Sequence, residues 1–76
     1  MRREELRRRI AVRPNSVRFA ELRRLLVAYG FTAREGAGGH VVFARGADRL
    51  TMPFRRGTML ATYVRQALAL TEGEDR

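Results

Sequence analysis

A chain of 76 residues has room for one domain, and at this size folding buries only about 60% of the surface the unfolded chain exposes. That excludes an enclosed cofactor cavity, so no cofactor is expected and any function has to sit on a surface, a loop or an open sheet face. Sixteen Arg and no Lys against eight acids give a formal net charge of +8, which favours a polyanionic partner, nucleic acid first, while the absence of Cys removes disulfide staples, thiolate metal sites and a Cys nucleophile.

Arg2 to Val12 carries Leu6 and Ile10 one turn apart among arginines, which predicts a short leading helix that docks through those two side chains. Glu4, Glu5 and Arg7 to Arg9 stand where a signal peptide needs an apolar stretch, and no run approaches the roughly 20 apolar residues of a membrane span. The expected compartment is the cytoplasm, with no membrane contact. Pro14 and Asn15 break the chain.

Phe19, Leu22, Leu25, Leu26 and Tyr29 recur at helical spacing, and Gly30 follows as a left-handed cap, predicting a first main helix from about Phe19 to Tyr29. Glu21 lies three residues beyond Arg18, so half of a capping box is present, and Val17 and Leu22 can staple the helix entry. After Gly30 the period becomes two. Phe31 and Ala33, then Val41 and Phe43, then Leu50 and Met52 alternate with polar or small residues, predicting three short antiparallel strands. Gly36 to Gly39 and Gly46 to Asp48 turn the chain between them. If the apolar set faces the helices, Arg34, His40 and Arg49 fall on the opposite, wet face. Phe54-Arg55-Arg56-Gly57 reads as a basic loop. Leu60, Val64, Ala67 and Leu68 mark a second main helix that starts between Thr58 and Thr62 and ends near Leu70, and Thr71 to Arg76 reads as a frayed tail.

His40 is the only histidine and leaves a glycine turn. One His without Cys cannot build a metal site of recognised spacing, so no metal is expected, and Ser16, the only Ser, has an ordinary capping explanation. One imidazole among many guanidinium groups can nevertheless cut RNA. The ribose 2′-OH is an internal nucleophile beside the scissile phosphate, so the enzyme needs only proton transfer and stabilisation of phosphoryl charge.

The order of short motifs is similar to that of a known family. Asn15-Ser16-Val17-Arg18-Phe19-Ala20-Glu21-Leu22, Tyr29-Gly30-Phe31, Gly38-Gly39-His40-Val41-Val42-Phe43, Met52-Pro53 and Tyr63-Val64-Arg65-Gln66-Ala67-Leu68 together resemble the HicA mRNA interferases, toxins of type II toxin-antitoxin systems. The resemblance implies an α+β, double-stranded-RNA-binding-like fold. In it a three-stranded antiparallel sheet carries two main helices on one face, in the order α-β-β-β-α, here behind a short leading helix. It divides the single domain 1–76 into a leading helix (1–13), a HicA-like core (15–70) and the tail (71–76).

The same resemblance implies an mRNA-cleaving endoribonuclease held inactive by a HicB-type antitoxin. The family's Gly-x-His element falls on Gly38-Gly39-His40, making His40 the general acid or base, and its strand aromatic falls on Phe43. Gly38 and Gly39 belong to the expected RNA-binding set, and Arg34, Arg49, Arg55 and Arg56 join it by position. The family usually has Ser or Thr where this chain has Gly39, so Gly39→Ser is expected to raise activity or leave it unchanged. Two other readings compete: a non-catalytic RNA-binding module of the same fold, and a basic amphipathic protein on a membrane surface, which the strand alternation disfavours.

Overall fold

The structure is a computed structural model and describes residues 1–76. It is α+β: helix α1 (Arg3–Ala11) leads, helix α2 (Phe19–Ala28), strands β1 (Thr32–Glu35), β2 (His40–Arg45) and β3 (Asp48–Pro53), and helix α3 (Ala61–Leu70) follow. This is the expected α-β-β-β-α layout behind a short leading helix. No helix is long and apolar enough to cross a membrane.

In α1, Leu6 and Ile10 are buried, and Glu4 and Glu5 in the first turn with Arg8 and Arg9 in the last complement the helix dipole. At the entry of α2, Glu21 accepts a hydrogen bond from the Arg18 backbone N–H (3.0 Å). That is the half of the capping box expected; the Arg18 guanidinium has no acceptor atom to complete it. The same carboxylate also pairs with Arg13, which holds Glu21 below the usual carboxylate range. Val17 and Leu22 are fully buried on either side of the helix start.

The exit of α2 shows why a glycine follows Tyr29. The Gly30 N–H donates to the Val27 carbonyl and the Phe31 N–H to the Leu26 carbonyl, both at 3.0 Å, with Gly30 at φ +94°. This paired ending requires a left-handed residue.

The sheet is antiparallel in the order β1-β2-β3. Ala33 pairs with Phe43 and Phe43 with Leu50, so Ala33, Val41, Phe43, Leu50 and Met52 share the face turned to the helices, where Phe43, Leu50 and Met52 are buried. Arg34, His40 and Arg49 share the other face, as the alternation predicted. The β2-β3 turn is shorter than expected: Asp48 already pairs with Arg45, leaving Gly46 and Ala47 as the two turn residues.

The approach to α3 differs from the sequence reading. Leu60 was expected in the core and is about half exposed, while Met59 is buried. The cause is a backbone strap. Arg18 bridges Thr58 in antiparallel fashion, and the Met59 N–H donates to the Val17 carbonyl (2.7 Å). Extended backbone alternates its side chains, so turning Met59 inward turns Leu60 out.

The tail is also corrected, for it is tethered and not frayed. Arg7 on α1 donates to the Leu68 carbonyl (2.6 Å), to Thr71 Oγ1 (3.0 Å) and to Glu72 (3.1 Å). Thr71 is fully buried. Arg45 holds Glu74 (2.6 Å) and also reaches Asp48 and the Tyr29 and Leu70 carbonyls. Asp75 pairs with Arg3 and accepts the Tyr29 hydroxyl. Burial, reinforced by that hydrogen bond, pushes the Tyr29 phenol up to about 12.

Candidate active site

Two consecutive glycines shape the turn between β1 and β2. Ala37–Gly39 form a tight turn kinked at Gly38, with Gly38 at φ +66° and Gly39 at φ +77°. The left-handed path carries the chain round so that the His40 ring returns over the turn, and its Nδ1 lies 3.0 Å from the Ala37 carbonyl oxygen. A carbonyl can only accept, so this contact places the proton of the neutral ring on Nδ1 and leaves the Nε2 lone pair free. His40 is exposed and pairs through its backbone with Pro53, at the end of both strands.

An open cleft of about 600 Å³ lies at this end of the sheet, lined by Phe19 and Arg23 from α2, Ala33 to Gly36, Gly39 to Val41, and Phe54. His40 therefore sits at the rim where the wet face of the sheet meets the exposed side of α2. The sequence alternation placed it on the open face alone. A second, smaller groove continues past Phe19 and Phe54, lined by Arg18, Ala20, Arg55, Arg56 and Gly57. The two depressions meet at the Phe19–Phe54 pair, packed edge to face with ring centroids 5.2 Å apart.

The charge on this surface is uncompensated. Ion pairs engage Arg2, Arg3, Arg7, Arg13 and Arg45. The other eleven of the sixteen arginines have none, among them Arg18, Arg23, Arg34, Arg55 and Arg56 around the two depressions. Half of the eight acids, Glu72, Glu74, Asp75 and Asp48, pair with Arg7, Arg45 and Arg3, none of which lines either depression. Glu35 is the one acid that lines the cleft. It brings a carboxylate without an ion-pair partner into the cleft, where it could exchange a proton but would oppose an anion lying close to it.

Of the residues singled out from sequence, His40, Gly39 and Arg34 line the cleft and Arg55 and Arg56 the adjoining groove. Gly38 shapes the turn from outside the cleft; a Cβ there would approach His40 Nδ1 to 3.7 Å. Arg49 is not part of this site. It pairs with Ala44, four residues along β2 from His40, which separates them by roughly 14 Å.

Sequence reasoning missed Arg18, Phe19, Arg23 and Glu35. Phe19 and Arg23 are four residues apart on a helix and share a face, a legible signal that went unused because Phe19 was read only as a marker of the helix. With φ at +77°, a side chain at Gly39 is strained whatever its hydroxyl could offer, which weighs against the gain expected of Gly39→Ser.

No family model, curated protein or solved structure matches the chain. No three His, Asp or Glu side chains come together as a metal-binding group.

Proposed function

We propose that this chain is an endoribonuclease of the mRNA-interferase kind, acting in the cytoplasm, with His40 as its general base. The observation that carries the reading is the cleft itself. One exposed imidazole, its Nδ1 engaged by the Ala37 carbonyl, stands among Arg23 and Arg34 with no ion-pair partners.

The chemistry such a site supports is transesterification. His40 Nε2 removes the ribose 2′-OH proton, the 2′-oxygen forms a bond to phosphorus, and the bond from phosphorus to the 5′-oxygen breaks. That oxygen takes a proton from water, and the hydroxide left behind takes the proton held on His40, which restores the neutral ring. The products are a 2′,3′-cyclic phosphate and a free 5′-OH. The nucleophile belongs to the substrate, so the protein supplies orientation, one proton acceptor, and guanidinium groups that stabilise charge developing on the phosphoryl oxygens. Arg55 and Arg56 extend the positive surface along the strand to one side of the cut.

The resemblance to HicA toxins supports this reading and suggests a HicB-type antitoxin as protein partner. An acidic partner over the basic cleft would both neutralise the unpaired arginines and bar RNA.

The test is cleavage of RNA by purified protein beside His40→Ala. The expected loss is about 10² to 10⁴ in rate, with 2′,3′-cyclic phosphate ends on the wild-type products and an unchanged melting temperature, since His40 is exposed and its removal leaves no cavity. A wild-type protein that binds RNA and never cuts it would instead be a binding module of the same fold.

A further inference from the structure

Phe54 is 57% exposed, although it directly follows β3 and its ring meets Phe19, which packs against the core. Its backbone N–H donates to the Gly39 carbonyl (3.2 Å), which ties the basic loop to the turn that carries His40. Its ring meets Phe19 edge to face at an interplanar angle of 82°. Whichever ring supplies the edge, Phe19 covers at most one face of Phe54. On one side lies the cleft with His40 and Arg23, and on the other the groove with Arg55 and Arg56.

We infer that Phe54 is a stacking platform for one unpaired nucleobase, so that the substrate is single-stranded RNA, threaded from the Arg55-Arg56 groove past Phe54 to His40. This rests on the RNA-cleaving reading above and gives it a substrate class. An aromatic face flanked by unpaired guanidinium groups matches the two parts of a single strand, since bases stack on the ring while phosphates follow the charge. In an A-form duplex the bases are stacked on one another and offer no free face to an aromatic ring. Phe19 fixes the Phe54 ring from behind, and the Gly39 carbonyl fixes its backbone. Stacking would therefore position the neighbouring phosphate relative to the imidazole one residue beyond Gly39.

The experiment measures binding of the full chain to uncleavable 2′-O-methyl RNA oligomers, so affinity is read apart from chemistry. Phe54→Ala should weaken single-strand binding by about 5- to 150-fold, the range for loss of one base–aromatic stack, and leave duplex binding unchanged. Phe54→Leu keeps an apolar contact with Phe19 and should bind as poorly as Phe54→Ala. Phe54→Trp should retain affinity, and because the chain has no other Trp, its emission should be quenched by a single strand and not by the duplex. Circular dichroism melts confirm that each variant is folded.

Equal single-strand affinity for wild type and Phe54→Ala, or full affinity in Phe54→Leu, overturns the inference even if the protein cuts RNA. Phe54-dependent binding without cleavage by any variant sustains it while the chemical step proposed above fails.

Discussion

Gly39→Ser separates the backbone role of the glycine turn from any role of a hydroxyl beside His40. Gly39 has φ +77°, and a Cβ built there meets no heavy atom within 4 Å, so the penalty comes from the left-handed backbone alone, about 1 to 2 kcal/mol. For a domain of this size each kcal/mol lowers the melting temperature by roughly 4 to 8 °C. Gly46 is the matched control. It also has positive φ (+56°) and open space around the missing Cβ, but it lies in the hairpin at the other end of the sheet. Gly39→Ser and Gly46→Ser should therefore melt at similarly lowered temperatures. Only Gly39→Ser should slow RNA cleavage, because a turn relaxing away from positive φ moves the Ala37 carbonyl off His40 Nδ1. The assay pairs thermal melts with single-turnover cleavage below both transitions. Cleavage by Gly39→Ser at or above the wild-type rate would refute the reasoning and restore the view that this position wants a hydroxyl.

Raising salt should weaken RNA binding steeply, and Arg55→Ala and Arg56→Ala should each reduce the slope of log affinity against log salt by about 0.7, as single-stranded phosphate contacts do; titrations between 50 and 200 mM check this, roughly the range where such slopes are read. Arg45→Ala should destabilise far more than Arg49→Ala, by about 2 kcal/mol, because Arg45 serves the Tyr29 and Leu70 carbonyls as well as Glu74, whereas Arg49 is exposed with no ion-pair partner; denaturant titration of both variants decides it. Hydrogen bonding from Arg13, Arg45 and Tyr29 holds Glu21, Glu74 and Asp75, in that order, below their ordinary values of 4.5, 4.5 and 3.8. Their folded values lie under the unfolded ones, so this stabilisation is fully present above about pH 4.5 and is lost as pH falls through the lowered values. Melts from pH 6 down to pH 2.5 should show it, with a shallower acid decline in the combined Glu21→Gln, Glu74→Gln and Asp75→Asn variant.

The elements were legible in the sequence because each is announced by a local signal. Leu22, Leu25 and Leu26 repeat at helical spacing and Gly30 caps them; the strands alternate around Phe43; two-sided patterns of this kind are set by backbone geometry within a few residues. The same alternation sent Arg34, His40 and Arg49 to one face, and the register agrees. Alternation says nothing about position along the strand, however. That coordinate separates Arg49 from His40 and was available only from the pairing of β2 with β3.

The errors share a cause. Thr71 to Arg76 looks polar and loose in sequence, yet Arg3, Arg7 and Arg45, drawn from α1 and β2, converge on it. Leu60 looks like core until the strap between Val17 and Met59 sets its phase. Composition alone determined that the molecule is strongly basic and that a single imidazole is available. Which arginines remain unpaired was decided by tertiary structure, because an ion pair depends on distances between residues far apart in the chain. By gathering four of the eight acids around Arg3, Arg7 and Arg45, the fold leaves Arg18, Arg23, Arg34, Arg55 and Arg56 without ion-pair partners around His40 and Phe54.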